Sequence, residues 1–436
     1  MKKFFTVLLS VLLLLNLAAC GNQANAPEEA EAAPKVAMVG FGRADITPTA
    51  KIGLHGYGDV GERQSMGVHT KLYATCIALT DETDNTILLY TVDIIGLRPA
   101  LMEKFAPQVA QELGIPEGNI FASGTHTHSG PSPDSNGLNH WSEVFVPGML
   151  AAAKAAMADR SPYTLQAGRT YTEGMNFVRH YITDQGKVIG DNFGSVKEDG
   201  ARVSHTTEAD NELQLIRFVR EDKQDILMAN WQGHPKTAST GETVTGRNYR
   251  NLISADYIGT CREYLESTNE DLLFAFYLGA SGNLNVHSKL PDEQAKNTED
   301  PKEFGERLGN YILDAPPGLT QRAEAPLKNA SATFAATQPG GAATDLQVRA
   351  AVLGDVGFVV APYEMFDTDG MRVKEQSPCD ITFVMTCGNG HVGYMPSSYA
   401  FDYTNCYEVR SSRYVQGTAE AFADVLISNL KTLAGA

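Results

Sequence analysis

The sequence runs to 436 residues, with 52 Asp and Glu against 35 Lys and Arg, a formal net charge of −17 at pH 7. So acidic a surface repels phosphate backbones and excludes nucleic acid as an expected partner. With 43% hydrophobic residues the chain can bury a large core. No Pro/Ser-rich break or obvious repeat divides it, which favours one large domain over two.

The first twenty residues read as an export signal. Lys2 and Lys3 give a positive start, and Phe4 to Leu17 form an apolar run too short for a comfortable membrane span, which needs about 20 residues. Leu17-Ala18-Ala19-Cys20 has the form of a lipoprotein cleavage box, so Cys20 is expected to be lipidated. Residues 21–35 (GNQANAPEEAEAAPK) hold little to bury and read as a disordered tether. The sequence therefore predicts an extracytoplasmic lipoprotein anchored to the cell membrane, with its folded domain over 36–436. Five cysteines follow Cys20, namely Cys76, Cys261, Cys379, Cys387 and Cys406. An odd number without CxxC spacing argues against a cysteine zinc site. Cys379 and Cys387 are a candidate disulfide in an oxidising exterior.

Farther along, 71–79 and 86–93 (TILLYTVD) are rich in β-branched and apolar residues and predict strands. Helical spacing covers 99–113, with Gly114 as a stop. A short strand at 119–124 leads into THTHSGP, and 145–159 reads as a helix. Strands at 213–219 and 226–231 flank Glu221-Asp222-Lys223 as a hairpin. Then come a helix over 253–265, a buried strand at 272–277, strands at 347–353, 356–361 and 381–386, and a last helix over 418–433. Strands alternate with helices, yet hairpins occur. The expected fold is α/β, with mixed β-sheets flanked by helices in a single large catalytic domain. The candidate chemistry falls in loops just after strands.

Among ten histidines, His126 and His128 in THTHSGP lie two apart. In extended backbone, such residues share a face and their imidazoles can converge. His234, in NWQGHPK, sits at a strand end where Pro235 stops ladder pairing. Asp93, at another strand end, is placed to accept a hydrogen bond from a metal-bound imidazole or to cap the next helix. His55 and His69 read as structural.

Taken together, VGFGRADITP, GVHTKLYA, TVDIIGL, THTHSGP, NWQGHP, NLISADY, GASGNLN and PYEMFDTDGMR resemble, in order, the catalytic domain of the neutral/alkaline ceramidases. The likeness spans most of 36–420. It implies zinc held by His126, His234, Glu364 (in PYEMFDTDGMR) and Tyr394 (in GHVGYMPSSY). Two imidazoles and two oxygen ligands suit that metal. Taken alone, Glu364 reads equally as a carboxylate at a helix start. The resemblance also implies water acidified by zinc to a pKa of about 7 for attack on an amide carbonyl. It further implies His128 assisting the oxyanion or a proton transfer, Arg179 (in MNFVRHY) orienting substrate, and Tyr407 (in NCYEVR) stabilising the oxyanion.

This sequence departs from the family pattern in the loop Gly282-Asn283-Leu284-Asn285-Val286-His287, where Asn285 replaces the family's serine. An amide cannot be a covalent nucleophile, so Asn285 is expected to contact substrate instead. The family also carries a C-terminal β-sandwich, whereas this sequence stops soon after its last expected helix; bringing the enzyme to a bilayer is then expected of the lipid anchor. The leading expectation is a zinc-dependent hydrolase of N-acyl amide bonds acting on ceramide-like lipid. The alternatives are a zinc hydrolase of another amide or ester, and a non-catalytic solute-binding lipoprotein.

Overall fold

The computed structural model describes residues 35–57, 63–132, 140–190, 199–238, 248–296 and 300–436. The export signal, Cys20 and, apart from Lys35, the tether lie outside the described residues.

One pattern of strands and helices is used three times in succession. Met38–Asp45, Tyr73–Thr80 and Thr86–Val92 form antiparallel neighbours; the helix Pro99–Leu113 then crosses over so that Ile120–Gly124 pairs parallel with Thr86–Val92. The helix Val146–Ala158 follows. Thr164–Tyr171, Glu212–Val219 and Asp225–Trp231 repeat the antiparallel set. The helix Asp256–Thr268 delivers the parallel strand Leu272–Leu278, and the helix Pro301–Asp314 comes after it. The third set is Leu327–Thr337, Ala343–Leu353 and Val356–Val360, the helix Asp367–Gln376, the parallel strand Ile381–Met385 and the helix Thr418–Ala434.

Strand periodicity explains the packing. Thr86–Val92 is buried along its whole length. Leu88, Tyr90 and Val92 face the two helices of their own set. Ile87 and Leu89 face a central core shared with Ile216, Phe218 and Met228 of the second sheet and Phe358, Ile381 and Phe383 of the third. A strand covered on both faces reads as a continuous apolar run. Each sheet is backed by its own helix pair, the second by Tyr257, Leu265, Phe304 and Leu308, the third by Val373, Phe422 and Leu426. Val36–Ala436 is thus one compact α/β domain of mixed sheets.

The helix expected over 253–265 begins later, at Asp256, because Leu252–Ile253 is held as a short parallel strand against Gly67–Val68. Leu327–Thr337 gave no strand signal because most of its residues are small or polar and exposed. Cys379 and Cys387 are free thiols in separate core clusters, so the candidate disulfide does not form.

The loops after the three parallel strand pairs interlock. Gly279 N donates to Trp231 O at 2.8 Å, Thr386 N to Leu278 O at 3.0 Å, Leu97 N to Cys387 O at 3.0 Å and Gly282 N to Met365 O at 2.7 Å. The carboxyl ends of these strands, where α/β sheets place their ligands, therefore meet in one region.

Candidate metal centre

The first set contributes His126 and His128. After Ile120–Gly124 the chain turns sharply, and His126 adopts φ 64°, the left-handed region that a non-glycine residue occupies only when its surroundings impose it. The two imidazoles do converge, with ring centroids 5.1 Å apart. They do so through this kink and not through the strand periodicity expected from the sequence. His126 Nδ1 donates to Ile95 O at 2.6 Å, which leaves Nε2 to face Glu364 Oε2 at 3.2 Å.

His234 comes from the second set, three residues past Asp225–Trp231. Gly233 is needed there, since a Cβ would meet the Trp231 ring at 2.2 Å. Asp256 clamps the next turn by accepting from Thr237 N at 3.1 Å and Ala238 N at 2.8 Å. His234 Nδ1 donates to Ser281 O at 3.2 Å, and its Nε2 lies 3.0 Å from His128 Nε2. Burial, with His126 nearby, holds His128 and His234 well below the ordinary imidazole pKa, so both are neutral.

Glu364 comes from the third set, after Val356–Val360. The helix beside it starts only at Asp367 and carries Asp367 and Asp369 in its first turn, so Glu364 is not a helix-start carboxylate. A backbone bridge joins Glu364 to Tyr394, and the Tyr394 hydroxyl lies against the Glu364 carboxylate. Glu364 Oε2 is buried and faces His126 Nε2 across 3.2 Å. Burial favours neutral His126, but Cys387 and Glu364 outweigh it and hold its pKa well above the ordinary value. Burial likewise opposes charge on Glu364, yet His126 keeps its carboxyl below the usual range. The two side chains thus form a buried imidazolium–carboxylate pair, whose proton a bound cation would replace.

Arg179 is fully buried, and its Nη2 donates to Tyr394 Oη at 3.1 Å. Tyr407 packs edge-on to Tyr394 with centroids 5.6 Å apart. Asn285 pairs with Phe177, two residues from Arg179, and its buried Oδ1 has no partner. Asp93 does not reach an imidazole. It is held by Arg262 Nη2 at 2.9 Å and accepts from Tyr73 N, so neither role expected of it applies. The carbonyls of Ile95 and Ser281 orient the histidines instead. His69 bonds Ser254 Oγ at 3.2 Å and packs on Tyr249, as a structural residue would. Sequence reasoning missed His391. Its ring lies 6.1 Å from that of His126, and burial brings its pKa down to about 3. Its place three residues before Tyr394 in GHVGY was the available signal.

The nitrogens of His126, His128 and His234 converge within 4.8 Å of one another. His126 and His234, each with Nδ1 tied to a carbonyl, His128 beside them and the buried Glu364 carboxylate make a donor set that fits a borderline divalent cation such as zinc.

Comparisons with known proteins bear on the family and the fold. Residues 38–275 match the family model of the neutral/alkaline non-lysosomal ceramidases, N-terminal domain. The chain is 24% identical over 274 residues to the neutral ceramidase of Pseudomonas aeruginosa, covering 58% of this chain and 37% of that protein. It is 23% identical over 240 residues to neutral ceramidase 1 of Arabidopsis thaliana, covering 53% and 29%. The match thus spans about a third of the length of these curated relatives. Among solved structures, a ceramidase complexed with C2 superposes with a TM-score of 0.73 at 17% identity, over 92% of this chain and 76% of that one. The Pseudomonas aeruginosa neutral ceramidase crystal structure gives 0.73 at 16% identity, over 92% and 75%. These structural likenesses concern the fold.

Proposed function

Taking as premise that this chain belongs to the neutral/alkaline non-lysosomal ceramidase family, we propose that it is a zinc-dependent hydrolase of N-acyl amide bonds, with ceramide-like lipid as substrate. The observation that carries the reading is the buried meeting of His126 Nε2 and Glu364 Oε2 at 3.2 Å, with the His234 ring 4.7 Å from that of His126. His126, His234, Glu364 and Tyr394 would hold the ion. Zinc bound there supplies Lewis acidity toward a carbonyl and lowers the pKa of water to about 7.

The remaining roles belong to the protein's own side chains. In the bare chain His128 Nε2–H can donate to His234 Nε2, because the latter is unprotonated. Once that His234 nitrogen is a ligand, the His128 N–H is released toward the substrate carbonyl, where it can stabilise developing negative charge. Tyr407, beside Tyr394, is the second hydroxyl for that charge. Asn285 offers a buried amide to the substrate and no nucleophile.

A second reading rests on the same geometry. The convergence of three imidazoles favours His128 as a ligand in place of Tyr394. The deciding experiment is metal analysis of protein starting near Val36, with ceramide and simpler N-acyl amides as substrates. About one zinc per chain, lost together with hydrolysis in His126→Ala, supports the proposal. Activity in metal-free protein refutes it.

We also propose lipid anchoring at Cys20, which the sequence alone supports; no helix among the described residues is long and apolar enough to cross a membrane. Labelled fatty acid should enter the full-length protein and not Cys20→Ser.

A further inference from the structure

Arg179 is held by four acceptors, and only one of them is a charged side chain. Its Nε donates to Glu408 Oε1 at 2.6 Å, Nη1 to Leu284 O at 3.4 Å, and Nη2 to Gly282 O at 2.5 Å and Tyr394 Oη at 3.1 Å. Glu408 directly follows Tyr407 and has no exposed surface. Its other oxygen, Oε2, accepts from Cys406 Sγ at 3.1 Å and His180 Nε2 at 3.4 Å. The carboxylate is thus the hub of a buried cluster that reaches Arg179.

His180, Cys406 and Glu408 also converge closely enough to suggest a second metal site. The remaining ring nitrogen argues otherwise. His126 and His234 each commit Nδ1 to a backbone carbonyl, the arrangement that aims a metal-binding imidazole. His180 Nδ1 is buried with no partner. Nε2 therefore carries the His180 proton and donates it to Glu408, and the cluster is built around a carboxylate that accepts every donor near it.

We propose that Glu408 is a positioning residue: through Arg179 it fixes the Tyr394 hydroxyl and the Gly282–Asn285 loop relative to the histidines. This rests on the reading of the metal centre above. A planar guanidinium satisfies these acceptors only in one orientation, and Glu408, itself fixed through Oε2 by Cys406 and His180, keeps it there by holding Nε. Without that anchor the guanidinium is free to turn, and Tyr394 loses its donor.

Glu408→Gln keeps the shape but turns one acceptor into a donor, which must then confront either Arg179 Nε or the His180 and Cys406 donors. The zinc-loaded variant is expected to lose about 100-fold in kcat with KM little changed, the cost typical of a misplaced group. Copper-loaded protein gives a readout separate from turnover. Its phenolate-to-copper absorption, absent in Tyr394→Phe, should lose most of its intensity in Glu408→Gln and partly return in Glu408→Asp. If Glu408→Gln does not fold, Arg179→Lys carries the same comparison, because it keeps the charge and loses the fork. Unchanged kcat and absorption in Glu408→Gln, beside a His126→Ala variant that has lost metal and activity, overturn the positioning role alone. A His126→Ala variant that keeps both overturns the metal centre on which it rests. A second zinc per chain that Glu408→Gln removes would make the cluster a metal site and overturn the proposal as well.

Discussion

His128 Nε2 stands 3.0 Å from His234 Nε2, and the Ser281 carbonyl on the far side of His234 makes the nitrogen facing His128 the unprotonated one. A cation on His234 must displace His128 from that nitrogen or recruit it as a ligand, and these alternatives separate by mutation. His126→Ala should lose zinc and turnover together. His128→Ala should retain most of its zinc and lose about 100- to 1000-fold in rate, as removal of an oxyanion donor does. Zinc content and initial rates for the two variants decide it. Equal loss of metal from both makes His128 a ligand and removes Tyr394 from the set.

Metal uptake should be coupled to proton release. In the bare chain His126 is held protonated well above its ordinary pKa, and burial, reinforced by Glu364, holds Tyr394 far above a normal phenol. A ligand must shed its proton, so zinc affinity rises with pH throughout the range below these folded-state pKa values. Calorimetry near pH 6 in buffers of different ionisation enthalpy should count about two protons released per zinc, and about one for Tyr394→Phe. An affinity independent of pH between 6 and 8 would contradict the ligand set.

Asn285→Ser restores the hydroxyl that the family pattern has at this position. The side chain is buried with its Oδ1 unpaired, so the smaller serine fits without displacing a hydrogen-bonded group. Hydrolysis should persist and extend further toward ceramide. An acyl group trapped on any residue of the 282–287 loop, detected by mass spectrometry, would contradict a mechanism without a protein nucleophile.

His140 provides a test of acid stability away from the metal centre. Both its ring nitrogens are buried without partners, and burial lowers its pKa to about 4. An unfolded histidine titrates near 6.5, so the unfolded chain takes up a proton that the folded one refuses, and stability falls as pH drops from about 6.5 toward 4. His140→Phe should escape this loss. Its stability advantage over the parent in urea should grow by roughly 2 kcal/mol between pH 7 and pH 5. A constant difference across that interval would show that the histidine is not neutral in the fold.

Much of this was legible in the sequence where local chemistry decides the outcome. Pro99 and Gly114 bracket their helix as expected, with Gly114 at φ 67°, and the apolar runs at 86–92 and 272–278 are strands. THTHSGP and NWQGHP marked three histidines that the fold brings together. What sequence could not show depends on distant neighbours. Asp93 had two reasonable partners nearby, but Arg262, contributed by the helix of the second set, took it. Glu364 looked like a helix-start residue until the following turn placed the helix at Asp367. The threefold repetition left no trace, since each sheet needs only apolar residues at alternate positions and many sequences supply those.

That repetition bears on how the centre comes into being. His126 belongs to the first set, His234 to the second, and Glu364 to the third, while each set buries its own sheet against its own pair of helices. Their docking is set by the central core that all three sheets share, and small errors there change the packing only gradually. The donor atoms would register them, because an ion tolerates ligand displacements of only a few tenths of an ångström. Capture of the proposed ion would thus report on assembly: a chain that collapsed without docking its three sheets correctly would stay empty.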